Sequence, residues 1–264
     1  MEALADAWLG TLQATAQLAQ SMAAEELARA TDLPGWSVKD NISHITGLEA
    51  TLLGWPQPEH ELPEGLAHVH GDVGRFMEVA VDTRRSWPMQ KITDELQQVI
   101  ATHRASFAAG LPAADDMVPG PFGRTRPAQN AFTMRAFDCW AHEQDIRRAI
   151  DRPGNLDSGA AMVSYARIAS AFGTVLASAG LDAGTSVAIN VSSPITLSLY
   201  GYVDAEGIGH DVTAIRDPAL VLTMDTVAWI RLSGGRVDPA QSGARSIGDP
   251  AAAARLLGAM AITP

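Results

Sequence analysis

Apolar residues recur at helical spacing along the first half of the chain, and a run of leucines from Leu4 to Leu18 predicts an amphipathic helix within the first 30 residues. Ser37 and Asp40 have the spacing of a capping box, which predicts a helix from Val38 to about residue 54. Two further helices are predicted, one over 68–87 and one beginning at an N-cap at Thr93. A long helix is predicted over 128–150, after the proline-rich and glycine-rich stretch 109–127, which is expected to be an irregular crossing.

The pattern changes after Pro153 and Gly154, which supply a helix stop signal. One helix is predicted over 158–179, followed by β-rich runs at 185–190, 195–201 and 219–224 and by closing helices within 225–235 and 249–260. We therefore predict an α + (α+β) architecture, with an all-α bundle over residues 1–155 and a small α+β domain over residues 156–264.

Composition narrows the possible functions. The formal net charge is −11, which argues against nucleic acid as a partner, because such binding needs clustered Lys and Arg. There is no run of about 18 apolar residues and the N-terminus is acidic, so we expect a cytoplasmic protein without a membrane partner. Cys139 is the one cysteine, so a metal would have to be bound by histidines and carboxylates. The alanine-rich, lysine-poor composition suggests a GC-rich bacterial genome.

The helix predicted over 128–150 carries polar residues on two sides. One side is expected to face solvent and contains Glu143, Gln144, Arg147 and Arg148. Asp138, His142 and Asp145 fall on the opposite side within an arc of about 60°, with Arg135 nearby. Because buried carboxylates and imidazoles are costly unless they are paired or coordinated, this inward stripe requires an explanation.

A divalent metal is one explanation. Asp138 and His142 are separated by one helical turn and could reach a common ion, and His44 at the edge of the buried face of the Ser37-capped helix could supply a third ligand. Asp145 would then orient a ligand or contact substrate. A cluster held only by hydrogen bonds, with Arg135 pairing Asp145, explains the same spacing, and the pattern alone leaves both open.

Two segments resemble a known family. Residues 32–49, DLPGWSVKDNISHITGLE, and residues 135–154, RAFDCWAHEQDIRRAIDRPG, are similar to the two signatures of the mycothiol-dependent maleylpyruvate isomerase family, within the DinB-like superfamily of metal-binding helical bundles. The resemblance implies an N-terminal DinB-like up-down bundle and a small α+β C-terminal domain, which the second half matches more loosely.

The resemblance also implies a ligand set. A histidine from the first signature and a Glu/His pair from the second fall on His44, Asp138 and His142, where Asp138 departs from the pattern by one methylene and either binds closer or through water. Zinc is the first choice, and nickel, iron, cobalt or manganese would suit the same ligands. Glu49 matches the first signature and either supports the site, together with Arg135, or forms a core ion pair.

Other residues carry less information. His103 falls on an apolar stripe and is expected to be a packed core histidine, with a substitute ligand as the alternative. Trp36 and Trp140 are expected to brace helix packing rather than line a pocket. Arg236 could reach an anionic substrate from the second domain, although a surface arginine in a turn is the simpler interpretation.

Three functions remain. The resemblance implies an actinobacterial enzyme, a monomer or homodimer, in which a metal activates mycothiol to attack an electrophilic small molecule, giving maleylpyruvate-type cis-trans isomerisation or thiol S-transfer. The alternatives are a non-catalytic metal-binding or ligand-binding regulatory module, and a metal-dependent hydrolase.

Overall fold

A computed structural model describes residues 1–263, apart from the side chain of Phe122. The chain divides into two compact units, Met1–Ser164 and Tyr165–Pro264. The first contains the helices α1 (Glu2–Gln20), α2 (Ala24–Leu27), α3 (Val38–Leu52), α4 (Gly71–Arg85), α5 (Met89–Ala109) and α6 (Ala128–Ala149). The helix α7 (Gly159–Ser170) spans the division, whereas the boundary predicted at residue 155 lies in the loop before it.

Helix α3 lies at the centre of the first unit, in contact with α4, α5 and α6. It begins as predicted, with the Ser37 hydroxyl accepting a hydrogen bond from the Asp40 amide and the Asp40 side chain accepting one from the Ser37 amide. The helices α3 and α4 approach closely at Gly47, where a Cβ atom would lie 2.5 Å from the buried Arg84 guanidinium. Glycine at this position therefore permits the close packing of α3.

Two predictions between α4 and α6 are wrong. Helix α5 begins at Met89 after Pro88, and Thr93 lies inside it, donating from its hydroxyl to the Gln90 carbonyl rather than capping the helix. The crossing before α6 is also more regular than expected. It forms an antiparallel hairpin of β1 (Met117–Pro119) and β2 (Thr125–Pro127) around the short 3₁₀ turn Pro121–Gly123.

Helix α6 has the predicted extent, but the prediction that its Glu143 side faces solvent is wrong. Glu143 is fully buried and accepts hydrogen bonds from Thr11 on α1, from Arg147 and from Asn155. Gln144 is also buried and donates to the Gly154 carbonyl. Helix α1 and the loop after α6 cover this face, and they supply the partners that make burial of a carboxylate tolerable.

The second unit contains a five-stranded sheet. Its strands are β3 (Ser186–Ser192), β4 (Leu197–Val203), β5 (Gly209–Val212), β6 (Leu220–Asp225) and β7 (Arg245–Ile247), in the order β5-β4-β3-β6-β7. Strands β3 and β6 are parallel and the other pairs antiparallel. The remaining helices are α8 (Phe172–Ser178), α9 (Thr226–Ser233) and α10 (Pro250–Gly258).

The predicted fold class, a helical region followed by a smaller sheet-containing domain, is confirmed. The strands at β3, β4 and β6 and the helices α9 and α10 lie where they were predicted, while β5 and β7 were missed. The single helix predicted over 158–179 is instead the pair α7 and α8, which breaks at Ala171. Within the described residues no single helix has the length and hydropathy to cross a membrane. The bent pair α7 and α8 meets these two criteria only when its helices are taken together.

Candidate metal centre

The structure brings His44 on α3 together with Asp138 and His142 on α6. His44 Nε2 lies 3.5 Å from Asp138 Oδ2, and His142 Nε2 lies 3.8 Å from Asp138 Oδ1. One donor atom from each of the three residues lies within 4.8 Å of the other two. Donors 2.0–2.1 Å from a tetrahedral zinc are about 3.3 Å apart, so a small inward movement of the side chains would suit such an ion.

His44 has the environment expected of a ligand. Its side chain is 4% exposed, and neither ring nitrogen has a hydrogen-bond partner among the residues that the structure describes. Burial, and after it the neighbouring His142, lower the pKa of His44 to about 4. The imidazole is therefore neutral at pH 7 and keeps a lone pair available, whereas an unpaired buried polar group is otherwise a net cost.

His142 is oriented by Asn41, a residue that the sequence analysis missed. The Asn41 amide nitrogen donates to the Ser37 carbonyl at 3.0 Å and to the Thr31 hydroxyl at 3.1 Å, which fixes its oxygen toward His142. That oxygen lies 2.8 Å from His142 Nδ1. Because an amide oxygen can only accept, Nδ1 carries a proton, which leaves Nε2, 3.8 Å from Asp138 Oδ1, as the nitrogen that could coordinate an ion.

Asp145 lies beside this pair rather than within it. Its carboxylate is 1% exposed and 3.6 Å from His142 Nδ1, beyond hydrogen-bond distance, and it forms a close ion pair with Arg148. Asn41 makes the orienting contact to His142, and a contact of Asp145 with substrate stays a prediction. Arg135, which would pair with Asp145 in the alternative without a metal, instead binds Glu49 and Asp138.

Arg135 holds Asp138 in its ionised form. The Asp138 side chain is 28% exposed, and Arg135 Nη1 donates to its Oδ2 at 2.9 Å. Partial burial raises the pKa of Asp138, but the charge of Arg135 and the two histidines outweigh it, so that pKa lies well below its ordinary value. The triad therefore offers the anionic Asp138 carboxylate and the neutral His44 imidazole at pH 7.

Glu49 is the centre of a buried hydrogen-bonded cluster next to the triad. Its fully buried carboxylate accepts from Trp8 at 3.1 Å, from His103 at 2.8 Å and from Arg135 at 2.6 Å. Glu49 thus forms the ion pair considered for it, and this pairing accounts for the burial of His103. Because Arg135 also binds Asp138, support of the site by Glu49 stays a prediction. Cys139 lies 3.4 Å from Glu49, and burial raises the pKa of its thiol well above 9.0, so it stays protonated.

The aromatic residues divide between the two roles considered for them. The Trp36 ring packs 5.0 Å from the His44 ring and 5.7 Å from the His142 ring, and its indole donates to Glu78 at 2.8 Å. Trp36 thus borders the site, contrary to expectation. Trp140 is fully buried and donates to the Asn155 carbonyl, as a packing residue would.

Arg236 belongs to the second unit. Its guanidinium donates to the Gly234 carbonyl at the end of α9, and its own carbonyl accepts from Arg231 at 3.4 Å. These contacts are local to the turn, and the substrate contact stays a prediction.

Comparison with known proteins gives a consistent result. Residues 8–147 match the sequence model of the mycothiol maleylpyruvate isomerase N-terminal domain. Crystal structures of the mycothiol-dependent maleylpyruvate isomerase and of a histidine-to-alanine mutant are each similar to this chain, with a TM-score of 0.56 and 18% sequence identity. Each match covers 93% of this chain and 91% of the other, which shows a shared fold. No curated protein matches the sequence.

Proposed function

The chain belongs to the mycothiol maleylpyruvate isomerase family, and we propose that it is a metal-dependent isomerase using mycothiol as a thiol cosubstrate and a maleylpyruvate-type electrophile as substrate. His44, Asp138 and His142 would hold one divalent ion, with zinc the first choice for two imidazoles and a carboxylate. Three protein donors are the number typical of catalytic rather than structural zinc sites.

One observation supports the metal above all others: the buried His44 imidazole makes no hydrogen bond within the described residues, and its Nε2 has only a loose contact of 3.5 Å with Asp138. A core histidine kept only for packing would be expected to use at least one of its nitrogens, as His103 does with Glu49. The surrounding residues also suit a ligand set, because Asn41 fixes the tautomer of His142 and Arg135 keeps Asp138 ionised.

The same environment favours a nucleophile from outside the protein. Cys139 is buried and protonated, so it cannot supply a thiolate. When bound, a divalent ion would supply the positive charge that stabilises the thiolate of a cosubstrate. Trp36 would cover the imidazole faces and limit access of water to the donors.

Metal content is the first test. Protein purified without chelators is expected to contain about one equivalent of metal by elemental analysis, and His142→Ala and Asp138→Ala are expected to lose it. Asp138 is partly exposed, so its truncation should leave the fold intact even if His142→Ala does not. His60→Ala is a matched control, because His60 pairs with Asp82 at 2.7 Å and lies outside the triad. Metal-free wild-type protein, or metal retained in both triad variants, would overturn the proposal.

Activity is the second test. Loss of maleylpyruvate absorbance should require both mycothiol and metal. Liquid chromatography with mass spectrometry should find a product with the mass of the substrate but a different retention time, rather than a stable thiol adduct. Accumulation of the adduct would instead indicate S-transfer. Metal-dependent turnover without a thiol would indicate a hydrolase, and an absence of turnover in fully metal-loaded protein would indicate a binding module.

A further inference from the structure

A second candidate site lies in the first unit, beside the metal centre. A cavity of about 250 Å³, partly open to solvent, is lined by residues of α1, α3, α5, α6 and the β1–β2 hairpin. Trp8, Phe107 and Phe132 form one wall, with ring centroids 5.1–5.5 Å apart. None of His44, Asp138 and His142 lines it. The proposed function assigns no role to this cavity.

The size and lining of the cavity suit one aromatic ring with a short arm. An apolar cavity of about 150 Å³ is enough to bind benzene, so about 250 Å³ leaves room for a ring and two or three further atoms. The three aromatic side chains could contact such a ring by offset stacking or edge-to-face packing. The ligand body indicated by this wall is therefore planar and apolar.

The charges in the lining indicate an anionic end. Two guanidinium groups line the cavity, those of Arg126 and Arg135. Arg135 is already paired with Glu49 and Asp138, whereas Arg126 has no ion pair with any carboxylate in the described part of the chain. Arg126 is therefore the guanidinium of the lining that is available to a ligand, and its planar fork matches a carboxylate.

The Arg126 side chain is also held in place. It is half-buried on β2 and packs so closely over Gly120 that a Cβ atom there would lie 3.0 Å from its Nε. Its backbone pairs with Val118 across the hairpin. Arg124, two residues earlier in the same hairpin, is exposed and does not line the cavity. The Arg126 side chain is thus packed in position at the cavity, whereas the Arg124 side chain is exposed to solvent.

We propose that this cavity binds a small aryl carboxylate, with the carboxylate on Arg126 and the ring against Trp8, Phe107 and Phe132. The site would lie next to the metal centre without being part of it, because Arg135 lines the cavity and also binds Asp138. Its ligand would need neither metal nor thiol for binding. The proposal therefore stands or falls separately from the isomerase function.

Calorimetric titration of the full-length, chelator-treated protein with 3-phenylpropanoate tests the proposal. Saturable binding is expected in wild type and in His142→Ala, which excludes binding through a metal. Arg126→Ala should weaken binding at least about tenfold, as expected for loss of a charge-assisted hydrogen bond, while Arg124→Ala should change it less than twofold. The neutral 3-phenylpropanamide should bind wild type more weakly than the carboxylate, and Arg126→Ala should remove that difference.

A blocking variant tests the location. Ser106 is exposed on α5 and lines the cavity, so Ser106→Trp should fill it at little cost to folding and abolish binding of both probes. The proposal is wrong if 3-phenylpropanoate does not saturate the wild-type protein, if Arg124→Ala and Arg126→Ala weaken binding equally, or if folded Ser106→Trp binds undiminished.

Discussion

Asn41→Ala should lower both the stability and the metal affinity of the protein, by amounts that can be worked out from the contacts of Asn41. The side chain makes a buried hydrogen bond of 2.8 Å to His142 and two partly buried ones, of 3.1 Å to Thr31 and 3.0 Å to the Ser37 carbonyl. At about 1 kcal/mol each, their loss should lower the free energy of unfolding of metal-free protein by about 3 kcal/mol. Loss of the partner of a metal-binding histidine should also weaken metal affinity 10- to 100-fold, or about 1.4–2.7 kcal/mol.

Asn41→Asp divides the two effects. A carboxylate still accepts from His142 Nδ1 but can no longer donate to Thr31 or to the Ser37 carbonyl, so stability should fall while metal affinity stays within about threefold of wild type. Affinity is measured at pH 7 by competition with a fluorescent zinc chelator, and stability by urea denaturation in EDTA. Ser43→Ala is the matched control, because Ser43 is buried on the same helix and bonds only to the Lys39 carbonyl.

The reasoning about the His142 tautomer would be refuted by either of two results. One is that Asn41→Ala keeps wild-type metal affinity while it remains folded. The other is that the Ala and Asp variants lose affinity equally, which would mean that Asn41 acts only through packing.

Three further predictions concern the surroundings of the site. Asp138→Glu should bind metal more tightly than wild type in the same competition assay, because the Asp138 oxygens lie 3.5 Å or more from the histidine nitrogens and a longer carboxylate would shorten these distances. Weaker binding would show that the Asp138 side chain already has the optimal length. Glu49→Gln should destabilise the protein by about 3–5 kcal/mol at pH 7, because it leaves the buried charge of Arg135 without its main partner. Burial raises the pKa of Glu49, but Arg135 and His103 outweigh burial and lower that pKa below 4.5. The stability that ionised Glu49 provides is therefore present above pH 4.5 and is lost as the pH falls through the pKa of the folded state. Urea denaturation should show the stabilities of Glu49→Gln and wild type converging only below pH 4.5. Ser37→Ala should cost about 1 kcal/mol in thermal or urea unfolding through loss of the α3 cap, and an unchanged midpoint would count against the capping box.

The sequence predicted best what depends on local periodicity and local chemistry. The extent of α6 and the start of α3 follow from a helical apolar pattern and from the Ser37 capping box, and both are correct. The sequence also predicted that His44 would lie close to Asp138 and His142, and metal binding by these residues stays a prediction.

What depends on distant partners could not be read from spacing. Glu143 looked like a surface residue because its partners, Thr11 and Asn155, lie on another helix and in a loop. Asn41 gave no signal, since an amide within a helix is usually exposed and its value here comes from contact with His142. Strands β5 and β7 are short edge strands of four and three residues, which leave little alternation to detect.

The Glu49 cluster limits how this protein can change. Its carboxylate joins side chains from α1, α5 and α6, so a substitution at Trp8, His103 or Arg135 changes the cost of a substitution at the others. An apolar residue at position 49 would leave the buried charge of Arg135 without its main partner and destabilise the protein. Simultaneous replacement of Glu49, His103 and Arg135 by apolar residues of similar volume should instead change the stability little. We therefore expect strong epistasis among these positions, so that related sequences keep the cluster whole or replace it as a unit.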